Sequence, residues 1–172
     1  GFVKDENIEM VQFHQSYSYE DFVQGIRPSE EGGFERRNGI FFDFCSKARR
    51  SPDQQFVFIT DEINRGNISK ILGELMMLIE ADKRKKQYAI KLTYSNEDDE
   101  RFFVPENVYL IGCMNTADRS LAIVDYALRR RFRFCPIKPE FNEAFISFLE
   151  EKGISQKELC KGICDHSTLS RI

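Results

Sequence analysis

Four uncharged, β-favouring residues, Phe56-Val57-Phe58-Ile59, run without a polar interruption. They predict a strand buried on both faces, as in a parallel sheet. Thr60-Asp61-Glu62 follow, so two carboxylates stand at the carboxyl end of that strand, where open α/β sheets place their ligands. A plain polar turn at the end of a strand would give the same letters.

The segments on either side extend the pattern. Residues 10–14 predict a strand, and Ser18 with Asp21 three residues on makes a capping box for a short helix. The stretch 25–33, with Pro28 and two late glycines, predicts a loop. From Asn38 to Arg50 apolar residues recur at helical spacing, until Ser51-Pro52 ends the helix. Beyond Asn67, a candidate N-cap, Ile68, Ile71, Leu72, Leu75, Leu78 and Ile79 form one stripe of a helix running to about Asp82. Residues 87–93 and 101–104 alternate as a hairpin around a polar turn. Val108 to Met114 predicts a second buried strand that stops at Asn115, residues 121–131 a short helix ending in three arginines, and Phe132–Ile137 a further strand. Pro139 opens an amphipathic helix.

The fold class implied is α/β, a parallel sheet flanked by helices. Composition narrows its partners. Charged residues make up 31% of 172, yet the net charge is −3, so no global basic field points to nucleic acid. Runs such as Lys83 to Lys86 read as solvated helix ends. No apolar run approaches the ~20 residues of a membrane span. The five cysteines are odd in number and scattered, which suits reduced cytoplasmic thiols. Cys160, Cys164 and His166 lie close together without a fourth zinc ligand, so packing is the simpler account.

The candidate chemistry lies at the strand ends. Asp61 and Glu62 have the layout of a Walker B element. The first acid would hold Mg²⁺ through a water and the second would polarise the attacking water. Asn115, ending the second strand, could orient water and a γ-phosphate oxygen, or cap the next helix. Asp118 could pair with Arg119 or Arg65, and the triplet Arg129 to Arg131 could be a cationic helix C-terminus facing its own dipole.

Three stretches, Asp61-Glu62-Ile63-Asn64-Arg65-Gly66-Asn67, Met114-Asn115-Thr116-Ala117-Asp118-Arg119-Ser120 and Asp125 to Phe132, closely resemble the McrB-like AAA+ family. Phe13 to Phe22 resembles the same family's segment before Walker B. These proteins are GTP-hydrolysing subunits of modified-cytosine-specific (5-methylcytosine) restriction systems. The resemblance implies a ring-forming motor, a hexamer, that uses GTP and Mg²⁺, self-associates, and drives an McrC-like nuclease subunit. It would meet DNA through that complex rather than directly. Asp61 and Glu62 would carry the Walker B roles, Asn115 the sensor role, and Asp118 a place in the signature loop. Arg130 and Arg131 would act as fingers on a neighbour's nucleotide, with Arg65 a third arginine near the same interface.

One departure is large. The phosphate cradle Gly-x-x-x-x-Gly-Lys-Ser/Thr is missing from these residues, so no nucleotide is expected to bind this chain tightly. Gly1 to Asp5 carries neither an initiator Met nor a signal-peptide pattern and reads as a cut end. The chain thus resembles an incomplete AAA+ core over 1–138 with a β-hairpin insertion, and the start of a C-terminal helical lid over 139–172. A nucleotide-free assembly module and a chaperone-type motor are the competing functions. The edge left by the absent first strand is expected to be filled by Phe132–Ile137, by residues 1–9, or by a second copy.

Overall fold

A computed structural model describes residues 3–115, 126–137 and 143–153. The chain divides into two compact units, Gly1–Arg133 and Phe134–Ile172. In the first, β1 (Ile8–Gln12), β4 (Phe56–Asp61) and β5 (Val108–Gly112) form a parallel sheet in the order β1-β4-β5. The strand with the carboxylates is therefore the middle one.

One face of this sheet carries the core. Phe56, Phe58 and Val108 turn inward and are fully buried, and the Phe58 ring packs edge-on against Phe22, Phe41 and Phe44. Phe41 and Phe44 come from α2 (Ile40–Arg50), and Phe22 from α1 (Tyr19–Phe22). Ser18 caps α1 with the reciprocal box that its spacing to Asp21 predicted. Gly39 precedes α2 where any Cβ would sit 2.4 Å from the backbone of Phe22, so only glycine lets α1 and α2 approach this closely.

The opposite face corrects the expectation of a strand buried on both sides. Val57 and Ile59 are half-buried, and their register partners Ile8, Met10, Tyr109 and Ile111 are exposed. An uncharged run cannot reveal how many layers cover it, because helices on one side already satisfy half its side chains.

Four further expectations change. The stripe after Asn67 is not one helix: α3 (Ile68–Leu72) and α4 (Leu75–Leu78) are separated at Gly73 (φ 50°), where the Tyr19 ring would lie 3.1 Å from a Cβ. Tyr19 then donates to Glu74 at 2.7 Å, and Glu74 also accepts from the Thr93 N–H at 2.9 Å. This tertiary node breaks a helix that local spacing favours. The hairpin at 87–104 reduces to a single bridge between Ile90 and Phe102. A true hairpin forms instead in the predicted loop, between β2 (Gln24–Pro28) and β3 (Phe34–Asn38). The strand expected over Phe132–Ile137 is not formed. The Phe132 N–H closes the turn after α5 (Tyr126–Arg129) by donating to Leu128 O at 3.1 Å, and 133–137 have no regular structure. Residues 8 and 9 pair with β4, so among the described residues no strand lies along the far edge of β5. Apolar alternation alone does not bring a segment to an open edge, and here the turn after α5 takes up the Phe132 N–H first.

Arg84, read from sequence as part of a solvated run, is half-buried. It donates from Nε (3.0 Å) and Nη2 (2.8 Å) to Ile79 O and from Nη1 to Val108 O at 2.6 Å. Burial holds its guanidinium below the ordinary arginine range, partly offset by Cys45. In the second unit, α6 (Glu143–Glu151) is the amphipathic helix expected after Pro139.

Candidate active site

Three chain segments converge at the carboxyl edge of the sheet. Beyond β1, the Phe13 N–H donates to Asp61 O at 2.9 Å. Beyond β5, the Cys113 N–H donates to Thr60 O at 2.8 Å, and Cys113 O accepts from the Ile63 N–H at 3.0 Å. These bonds carry the ladder past the last formal strand residues, so the turn after Asp61 is pinned on both sides. Asn115 lies two residues beyond Cys113 at the same edge, exposed and engaged in contacts of its own.

Asp61 ends β4 half-buried, and its Oδ2 accepts from Gln12 Nε2 at 3.3 Å. Gln12 is its register partner on β1. An anionic oxygen steadied by an amide suits a hard cation that takes its other ligands from water and phosphate oxygens. Among the described residues no cluster of three or more His, Cys, Asp or Glu forms a complete metal cage. A single carboxylate donor of this kind would hold Mg²⁺ only where waters and a substrate supply the remaining ligands.

Glu62 has a positive φ (49°, ψ 42°), the one such non-glycine among the described residues. A left-handed conformation at glutamate costs roughly 1–2 kcal/mol and persists where the surroundings impose it. Here the flanking Asp61 and Ile63 bonds impose it. The carboxylate turns into a shielded position, 17% exposed, with Oε2 3.2 Å from Arg65 Nε. That is ion-pair distance without hydrogen-bond alignment, and Oε2 is buried with no hydrogen-bond partner. Asn64 Oδ1 nearby is likewise buried and unbonded. Buried acceptors of this kind are rare in a purely structural turn.

The arginines are placed unequally. Arg65 pairs with Glu62 of its own chain. Arg130 is exposed beside an open concavity lined by Met77, Glu80, Asp82, Lys83 and Arg131. Arg131 is 9% exposed, with Nη2 2.8 Å from Glu80 Oε1. Asp118 lies outside the described residues, as do Cys160, Cys164 and His166. Gln12 and Asn64 escaped sequence reasoning. The only available signals were their positions, one at a strand end and one inside the Asp-Glu-Ile-Asn string, and neither reveals register or burial.

The chain is 60% identical over 148 residues to the type IV methyl-directed restriction enzyme EcoKMcrB subunit of Escherichia coli (strain K12), covering 86% of this chain and 32% of that protein. It is 27% identical over 128 residues to the type II restriction enzyme BsuMI component YdiS of Bacillus subtilis (strain 168), covering 69% and 37%. The chain thus spans about a third of the length of these curated relatives. A solved structure from Cytophaga hutchinsonii aligns over 73% of this chain and 32% of that one at 14% identity and a TM-score of 0.45, too slight a likeness to carry an argument. The family model of the AAA domain, dynein-related subfamily, matches residues 2–132, and the chain belongs to that family.

Proposed function

We propose that this chain is part of a GTP-hydrolysing motor subunit of a modification-directed restriction system, working as a ring in the cytoplasm with a partner nuclease that cuts DNA. The observation that carries it is the Asp61-Glu62 pair leaving the middle strand at the sheet's carboxyl edge, pinned by β1 and β5. The likeness to an McrB subunit supplies the restriction setting. Described residues include no helix long and apolar enough to cross a membrane.

In this reading Asp61, steadied by Gln12, holds the cation through a water. When bound, Mg²⁺ would supply neutralisation of charge on the phosphate. Glu62 accepts a hydrogen bond from the attacking water and orients it, and its shielding strengthens that bond. Asn115 holds the water or a γ-phosphate oxygen from the next strand end, with Asp118 in the loop beyond it. Arg130, exposed beside the Glu80 concavity, serves a neighbouring copy's nucleotide, as arginine fingers do.

In the complete protein, Glu62→Gln is expected to abolish GTP turnover while nucleotide binding and ring assembly persist. The amide keeps the shape and loses the base. Wild-type turnover in that variant would remove Glu62 from the chemistry, and absence of GTP turnover in the unaltered complete protein would leave an assembly module as the better account.

A further inference from the structure

We infer that Glu80 is a positioning residue that fixes Arg131 as an internal strut, so that Arg130 alone of the pair is presented to a neighbouring copy. This rests on the motor reading above and deepens it, because sequence treats the two arginines as equivalent.

The geometry separates them. Arg131 is nearly buried, with Nη2 2.8 Å from Glu80 Oε1, whereas Arg130 is exposed. Glu80 Oε2 faces Lys83 Nζ at 3.4 Å, so one carboxylate holds both cations. Although desolvation acts against it, the hydrogen bond and charge of Lys83 and the charges of Arg131 and Arg130 keep the Glu80 carboxyl below the usual carboxylate range.

Both partners are anchored. Ile79, just before Glu80, is in the core, and its carbonyl takes two bonds from Arg84, which also grips Val108 O at the start of β5. Leu128 is also in the core, and its carbonyl receives the N–H groups of Arg131 (2.9 Å) and Phe132 (3.1 Å). The ion pair therefore ties the end of α5 to a point fixed on the sheet. Arg130 is held between these anchors with its own side chain outside. A guanidinium that must meet a phosphate across an interface needs its backbone fixed, because a displacement of about 1 Å costs on the order of 10²-fold in rate.

The test is made in the complete, assembled protein, reading GTP kcat and KM, thermal unfolding and ring assembly. Glu80→Gln keeps the side chain's shape and is expected to lower kcat by roughly 10- to 100-fold with KM unchanged. Arg131→Ala is expected to match it, and the double variant to be no worse than either single, as for two ends of one strut. Arg131→Lys restores a cation opposite Glu80 and is expected to recover most of the rate. Arg130→Lys is expected to recover little, since an ammonium cannot reproduce the guanidinium fork on a phosphate.

Three results would overturn the strut: wild-type kcat in Glu80→Gln, multiplicative losses in the double variant, or an assembled Arg131→Lys as inactive as Arg130→Ala. Should Arg131→Ala fail to fold, Glu80→Gln decides alone. Full turnover in Arg130→Ala is a different failure, and it would overturn the motor reading's use of that arginine instead.

Discussion

Asn107 clips the starts of β4 and β5 to the end of α2, and its removal has a calculable cost. Its Nδ2 donates toward three carbonyls, of Ala48 (3.1 Å), Ser51 (3.0 Å) and Gln54 (2.8 Å), while its backbone carbonyl accepts the Phe56 N–H at 2.9 Å. An amide has two protons, so one is shared and the side chain is worth about two net hydrogen bonds, or ~2 kcal/mol. The carbonyls of Ala48 and Ser51 keep backbone donors from Ser51 and Gln54 (both 3.1 Å), which prevents a larger penalty in Asn107→Ala. Asn107→Asp should be worse at neutral pH by a further ~1–2 kcal/mol, because a carboxylate would face three carbonyl oxygens. That environment raises the folded-state pKa of the new acid above its unfolded ~3.9. The sign follows: the folded state binds the extra proton, so the Asp penalty appears as pH rises through this window and shrinks as pH falls below it. Urea unfolding followed by circular dichroism should show the Ala midpoint lower by about 1 M. The Asp midpoint should lie below it at pH 7 and converge toward it near pH 4. An Ala variant within 0.5 kcal/mol of wild type, or an Asp variant equal to wild type at pH 7, would refute the clip.

Other outcomes follow from the same structure. Glu62→Gly relieves a left-handed glutamate worth roughly 1 kcal/mol and gives up an ion pair of less than that, so stability should hold or rise slightly while turnover is lost. A drop in melting temperature of several degrees would show instead that the Glu62 side chain holds the turn. Asp99 is held below the usual carboxylate range, first by the Arg36 hydrogen bond and then by the Asn96 N–H. Its contribution is present above the unfolded pKa and is lost as pH falls through the lower folded value, so exchange of the β3 amides should accelerate in acid relative to the core. Asp99→Asn should remove that pH dependence, and an unchanged profile would discount the pair.

Locally encoded features were legible from sequence. The capping box at Ser18, the α2 span, the middle strand and the carboxylates at its end are set by residues within a few positions of one another. Their periodicity and hydrogen-bonding groups operate over that range. The AAA family could likewise be read, from contiguous strings around Asp61 and Asn115. Long-range contacts decided the rest. The helix after Asn67 breaks because Tyr19, distant in sequence, lies over Gly73 and bonds Glu74. The 25–33 segment pairs into a hairpin whose Arg36 is held by Asp99. Phe132–Ile137 forms no strand, and its first N–H is taken by Leu128 O in the turn that closes α5. Gln12 reaches Asp61 through register alone, and Arg130 and Arg131 become unlike only when Glu80 is brought beside one of them. Adjacent letters carry the same chemistry, and burial and partners, which exist only in three dimensions, assign them different work.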